Sequence, residues 1–411
     1  MDPSNITRRG AMQTGLVGLA GSLVTDDAVA VDAPPGQTPP ANSTRPLLTS
    51  ARDFRDVSRG SPVPHSLRGE ALTRARLTAE TWRLEIVVEN NATLTNQKRL
   101  EDNTALTLAD LTRLSERHAV RFLKAMQCNN IARPLGQGLW EGIPLRDVLA
   151  LCGTIGNARR LHYWGFHNNE ERQMFRSSMA INQVLDSPPG DLPPFLAYRL
   201  NGGPIPLERG GPVRMVVPWA HGFKSVKWLQ RITLTSDYQA NDTYALRNND
   251  PESYLKTAAY FDNTNREQFP AGRPIGVGGS AMVGWPGLER VEYWLRPATD
   301  QPLDLPDDSP AWRTARWQPC VIEPAPTQWH NLPENVLPRE VHGFGQNGQP
   351  TEWPIRFTFV LWSLTLNNVA AGRYEIRVRT VDRNGFAQPQ PRPLQKSGRN
   401  RIQAKIIEVT A

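Results

Sequence analysis

The residue with most chemical promise in this chain is Cys128. It follows the apolar segment ending at Met126-Gln127 and precedes Asn129-Asn130, a pair that favours a turn. A thiol at a strand end is displayed where side chains can act. Arg133 lies five residues on, and its positive potential favours the thiolate, the form that ligates metals and attacks electrophiles. Taken alone, a cysteine after an apolar strand is as readily a small buried side chain. The other thiols, Cys152 and Cys320, are too far away in sequence for a CxxC metal site, a disulfide framework or a CxxCH haem attachment. A second group lies downstream. Arg214 and Lys227, with the amides of Ser225 and Val226, are the types that grip an anionic phosphate, and Gly222 lets backbone approach a ligand. Solvated charge at strand ends is the alternative for the two cations. No G-x-S-x-G, H-E-x-x-H or Walker A segment is present, so common hydrolase and nucleotide readings lack support.

These residues must be positioned by short elements. The chain has 411 residues with 36 Pro and 31 Gly, a composition that works against long helices. The net charge of +7 arises from 47 basic and 40 acidic residues that are interspersed, without the dense basic run of a nucleic-acid binder. No apolar run approaches the roughly 20 residues of a membrane helix. Trp82–Val88 and Arg214–Pro218 read as strands. Residues 106–127 read as a helical segment that breaks near Glu116, then a short strand approaching Cys128. Pro144 opens a helical run to Leu149. Beyond about residue 276 the pattern changes to alternating strands around Val291–Arg296, Tyr374–Thr380 and Ile402–Ile406. The expected architecture is therefore α+β over 46–275, followed by an all-β sandwich over 276–411. At the N-terminus, Arg8-Arg9, the modest apolar stretch Thr14–Val24 and Ala28-Val29-Ala30 resemble a twin-arginine export signal over 1–30. Residues 31–45 form a Pro-rich linker. A periplasmic location is the expectation.

Two ordered segments carry a family resemblance. Met126-Gln127-Cys128 through Arg133, then Trp140-Glu141-Gly142-Ile143-Pro144-Leu145-Arg146-Asp147-Val148-Leu149, is similar to L-Q-C-A-G-N-x-R followed by W-x-G-V-P-L-R-D-L-L. Leu196–Pro206, Gly211–Pro218 and Gly222–Leu229 are similar to L-A-Y-x-x-N-G-x-P-L-P, G-x-P-x-R-x-V-V-P and G-x-x-x-V-K-W-L. Both resemble the sulfite oxidase family of molybdenum enzymes. The resemblance implies a mixed α/β molybdopterin domain followed by an immunoglobulin-like domain that often dimerises. It implies a molybdenum-pyranopterin cofactor, with Cys128 as the protein's metal ligand and Arg133 in the substrate pocket. Arg59, in Phe54–His65, stands one position from the family's N-terminal active-site arginine. Tyr244 is favoured over Tyr238 as the tyrosine beside the metal. Arg209 and His167 fall where pterin contacts are expected, beside Arg214, Ser225, Val226 and Lys227. The implied reaction is oxidation of sulfite to sulfate. With no CxxCH and no haem domain, electrons are expected to pass to a separate acceptor such as a cytochrome. Two alternatives stand beside this reading: a related enzyme acting on a sulfoxide or a sulfane sulfur, and a non-catalytic extracellular β-sandwich binding protein.

Overall fold

The computed structural model describes residues 45–128, 133–188, 190–243, 252, 254–298, 301–391 and 400–411. The expected export signal, the linker up to residue 44 and Tyr244 lie outside these residues. Strands dominate, as the Pro and Gly content predicts, and the longest described helix is Leu108–His118. Thr107 starts that helix with a capping box. Its hydroxyl accepts from the Asp110 N–H, and the Asp110 carboxylate accepts from the Thr107 N–H at 2.8 Å. Such a cap contributes about 1 kcal/mol. The helix ends at Ala119, in extended conformation, and the chain continues directly into the strand Val120–Met126, which delivers Cys128.

Two large sheets, with a two-stranded one between Thr93–Leu94 and Ile155–Gly156, build the first half. One runs Leu106–Thr107, Arg83–Glu89, Leu229–Thr235, Arg160–Gly165, Arg176–Ala180, with a parallel pairing between Arg83–Glu89 and Leu229–Thr235. The other runs Gly203–Pro204, Phe195–Leu200, Gly136–Pro144, Val120–Met126, with Arg214–Val216 also pairing to Phe195–Leu200. Trp82, Leu84, Ile86, Leu161, Tyr163, Leu229 and Ile232 bury the inner face of the first sheet. Gly165 permits a close crossing, since a Cβ there would stand 2.0 Å from the Lys227 carbonyl oxygen.

The C-terminal half consists of two more sheets. One contains Ala258–Phe261, Ile275–Met282, Phe359–Leu366 and Val321–Ile322. The other contains Glu267–Pro270, Gln403–Thr410, Gly372–Asp382, Leu288–Pro297 and Gln318–Pro319. Both contribute to one core, with Val277 and Trp362 from one sheet and Val291, Ile376 and Ile407 from the other. Face-to-face sheet packing of this kind follows from the alternation seen in the sequence. The partners change earlier than the sequence pattern suggests. Ala258–Phe261 and Glu267–Pro270, within the expected first domain, pair with C-terminal strands. These strands are four residues long, too short to announce their partners through alternation. Ala125, Leu255, Tyr260, Met282 and Phe359 pack together between the halves, and the Ala125 N–H donates to the Phe357 carbonyl at 2.9 Å. The strand leading to Cys128 is thus braced from both sides. Among the described residues, no helix is long and apolar enough to cross a membrane.

Candidate active site

Cys128 is half-buried and opens on a cavity of about 280 Å³. Four segments build its walls. The strand Val120–Met126 brings Met126 and Cys128. The N-terminal strap brings Phe54, Arg55, Val57, Ser58 and Arg59. The short turn at Leu207–Arg209 brings Arg209. The stretch from Arg214 to Trp228, which includes the turn Gly222–Lys224, brings Arg214, Gly222, Phe223, Ser225, Val226, Lys227 and Trp228. His167, Leu135, Trp140 and Phe175 complete the lining. Eight of the ten site residues expected from sequence meet here: Cys128, Arg59, His167, Arg209, Arg214, Ser225, Val226 and Lys227.

The cations are held in place by backbone. Arg214 donates from its two terminal nitrogens to the carbonyls of Arg209 at 2.6 Å and Ser225 at 2.5 Å, and it lies 5.0 Å over the Trp140 ring. Its Nε and that of Arg209 are buried without a hydrogen-bond partner. Burial, with Arg209 adding to it, opposes the charge on Arg214 and lowers its pKa to about 9. Lys227 Nζ donates to Ser58 Oγ at 2.7 Å, Asp56 Oδ1 at 3.0 Å and the Glu208 carbonyl at 2.6 Å. Burial and Arg214 push its pKa down to about 8, against the pull of Asp56. Positive charge is in surplus, because among the described residues no carboxylate lines the cavity. His167 Nδ1–H donates to the Gly165 carbonyl at 2.9 Å, leaving Nε2 as an acceptor. Burial, opposed by that bond and aided by Arg59, lowers its pKa, so the ring is neutral at neutral pH. Arg59 stands 5.8 Å from the Phe175 ring.

Two expectations, for Arg133 and for the Ser225 N–H, end differently. Arg133 is exposed and does not line the cavity. Its guanidinium lies 3.4 Å from Thr264 Oγ1, on the strand-poor stretch that follows Phe261. Five residues of sequence separation from Cys128 leave room for the side chain to turn away. Tyr244 falls outside the described residues. The Ser225 N–H, expected to face an anion, donates at 3.0 Å to the Gly222 carbonyl and closes the turn. Arg55 lines the cavity beside Arg59, although only Arg59 was singled out from that segment. A larger cleft of about 610 Å³, with Asp186, Asp191, Trp219, Trp285 and Glu352 in its wall, contains neither Cys128 nor this cationic set.

The donor set fits a phosphate-bearing pterin. Arg55, Arg59, Arg209, Arg214 and Lys227 supply charge for an anion, and the two orphaned Nε atoms point to a missing acceptor. Gly222 lets the turn approach the backbone before Cys128, since a Cβ there would meet the Gln127 carbonyl at 3.2 Å. Among the described residues no cluster of three or more His, Cys, Asp or Glu side chains could hold a metal. A metal at Cys128 would therefore need ligands brought by another group.

Comparison with known proteins agrees with this chemistry. Residues 71–243 match the family described as oxidoreductase molybdopterin binding domain. An inducible NADH nitrate reductase 2 of Glycine max is 30% identical over 195 residues, covering 44% of this chain and 21% of that one. Mitochondrial sulfite oxidase of Macaca fascicularis is 29% identical over 184 residues, covering 42% and 33% respectively, and that of Rattus norvegicus is 32% identical over 127 residues, covering 30% and 22%. The chain thus spans only a minor part of the curated relatives it matches. The sulfane dehydrogenase SoxCD of Paracoccus pantotrophus shares the fold, with a TM-score of 0.55 at 16% identity over 95% of this chain and 97% of that one. The molybdopterin-binding domain over residues 71–243 and the likeness to sulfite oxidases mark the chain as a molybdopterin-binding oxidoreductase similar to the sulfite oxidase family.

Proposed function

We propose that the chain oxidises sulfite to sulfate and passes the electrons to a separate carrier such as a cytochrome. The observation that carries this reading is the cationic cavity onto which Cys128 opens. The reaction balances as sulfite plus water giving sulfate, two protons and two electrons. When bound, a molybdenum-pterin would supply the redox and oxygen-transfer chemistry. The chain would supply position and charge. Cys128 would hold the metal through its thiolate. Arg209, Arg214 and Lys227 would hold the pterin phosphate, since fixed guanidinium forks pair well with such oxyanions. His167 would offer Nε2 to a donor, and Ser225 and Val226 would shape the wall. Arg59, exposed at the rim, would meet the substrate anion.

The wider assignment rests on sequence. Export by the twin-arginine route would suit a protein that loads its cofactor before leaving the cytoplasm. The C-terminal sheets would form the immunoglobulin-like module through which two copies pair. Tyr244 would donate a hydrogen bond at the metal.

A sulfane dehydrogenase is the second reading. The fold likeness to SoxCD is compatible with it, and one observation favours it: Arg133, expected to add charge to a sulfite pocket, does not line the cavity. Turnover of molybdenum-loaded protein with an artificial electron acceptor separates these readings. Sulfite and a thiol-bound sulfane are run with the acceptor, and a sulfoxide beside them with a reduced artificial electron donor. Sulfite-dependent reduction of the acceptor supports the first reading. Turnover confined to the sulfane, or sulfoxide reduction in the reverse direction, refutes it. Protein that takes up no molybdenum when matured with the cofactor supplied would instead support a non-catalytic binding protein.

A further inference from the structure

Behind the cavity wall lies a charged pair that none of the site's expected roles uses. Lys224, in the turn that brings Gly222 and Phe223 to the cavity, is 2% exposed, and Asp242 is fully buried. Lys224 Nζ donates to Asp242 Oδ1 at 2.7 Å and to the Ser178 carbonyl at 2.5 Å. Asp242 also accepts from the hydroxyls of Ser177, at 2.9 Å, and Ser178. The Lys224 carbonyl accepts from the Tyr163 hydroxyl at 2.8 Å. Next to Asp242, Thr243 exchanges two bonds with Arg176: its N–H donates to the Arg176 carbonyl at 3.0 Å, and its hydroxyl accepts the Arg176 N–H at 2.9 Å. Three segments thus meet at one ion pair: the turn, the strand Arg176–Ala180, and the stretch after the strand Leu229–Thr235.

A buried ion pair is a poor device for stability, because desolvating both charges offsets their attraction. An apolar pair of similar volume is often as good. What such a pair does supply is a fixed register between the segments that carry it. We propose that Lys224 and Asp242 are positioning residues that hold the Gly222–Lys224 turn in the shape the cofactor requires, and tie it to the strand Arg176–Ala180. This rests on the cofactor assignment made above, and not on which sulfur compound is oxidised.

The test uses the whole chain loaded with its molybdenum-pterin. Melting temperature and the rate of pterin release, followed by pterin fluorescence, are measured for Asp242→Asn, Lys224→Met and the double variant Lys224→Met/Asp242→Leu. Asp242→Asn keeps the shape and one of the two oxygens that accept from Lys224 and the serine hydroxyls, and below its own melting temperature it should release pterin about tenfold faster. The double variant should recover the melting temperature lost in Lys224→Met while keeping the fast release. A native release rate in Asp242→Asn overturns the proposal. So does a double variant that recovers melting temperature and release rate together, which would make the pair a stability element alone. Neither readout needs turnover. Sulfite-independent activity with this release pattern would therefore sink the substrate assignment and leave the positioning pair standing.

Discussion

Replacing Lys227 with methionine should remove a pH-dependent part of the stability of the cofactor-free protein. The Lys227 side chain is 17% exposed. Burial first, and Arg214 second, hold its pKa at about 8 against an ordinary value of 10.5, with Asp56 pulling the other way. Below pH 8 the folded and unfolded chains both carry the proton, and folding bears the full cost of burying that charge. Between pH 8 and 10.5 the unfolded chain keeps the proton while the folded chain gives it up, so stability rises with pH across this window. The gap corresponds to a ceiling of about 3 kcal/mol. Partial solvent access and relaxation around the ammonium reduce the expected gain to about 1–2 kcal/mol. The assay is urea unfolding of both proteins at pH 7.5 and 10, a span that covers about 2 of the window's roughly 2.5 pH units. Lys124 and Lys224, also buried with lowered pKa, are common to both proteins and largely cancel in the difference. Equal rises in the native and Lys227→Met proteins would refute the assignment of this proton to Lys227. Adding an anion such as phosphate should flatten the rise in the native protein only, because a charge partner restores the ammonium.

Arg59→Ala should raise the KM for sulfite by about tenfold or more, in line with the loss of a charge-assisted contact, and lower kcat much less. Steady-state kinetics read this directly, and an unchanged KM would remove Arg59 from the substrate side. Gly165→Ala should destabilise the fold by about 2–3 kcal/mol, because its Cβ would meet the Lys227 carbonyl at 2.0 Å, where backbone must shift. Equilibrium unfolding measures the change, and an effect under about 0.5 kcal/mol would show that the sheet crossing yields freely.

Elements with strong local patterns are legible in the sequence. Arg83–Glu89, Leu288–Pro297 and Gly372–Asp382 are strands that alternate or run apolar, and they fall where the sequence pattern puts them. Pro144 opens the helix Leu145–Ala150 as its restricted φ requires. The segment Ile275–Met282 is harder to read, since Gly276, Gly278 and Gly279 dilute its strand pattern, although a Cβ at Gly279 would sit 2.0 Å from the Tyr260 carbonyl. Among the site residues, Cys128, Arg214 and Lys227 were legible because motif spacing fixes them on one stretch of backbone each. Arg133 was not, because a side chain several residues past a strand end can leave the cavity for Thr264. The Lys224–Asp242 pair joins residues eighteen apart through two loops and a strand, and nothing local in either segment announces the partner.

The most direct measurement is molybdenum K-edge X-ray absorption on loaded native protein and Cys128→Ser. The Cys128 thiolate should appear as a sulfur neighbour of the metal, and the serine variant should fold normally, show one sulfur neighbour fewer and lose turnover. An unchanged sulfur shell in a folded, active Cys128→Ser protein would contradict the account.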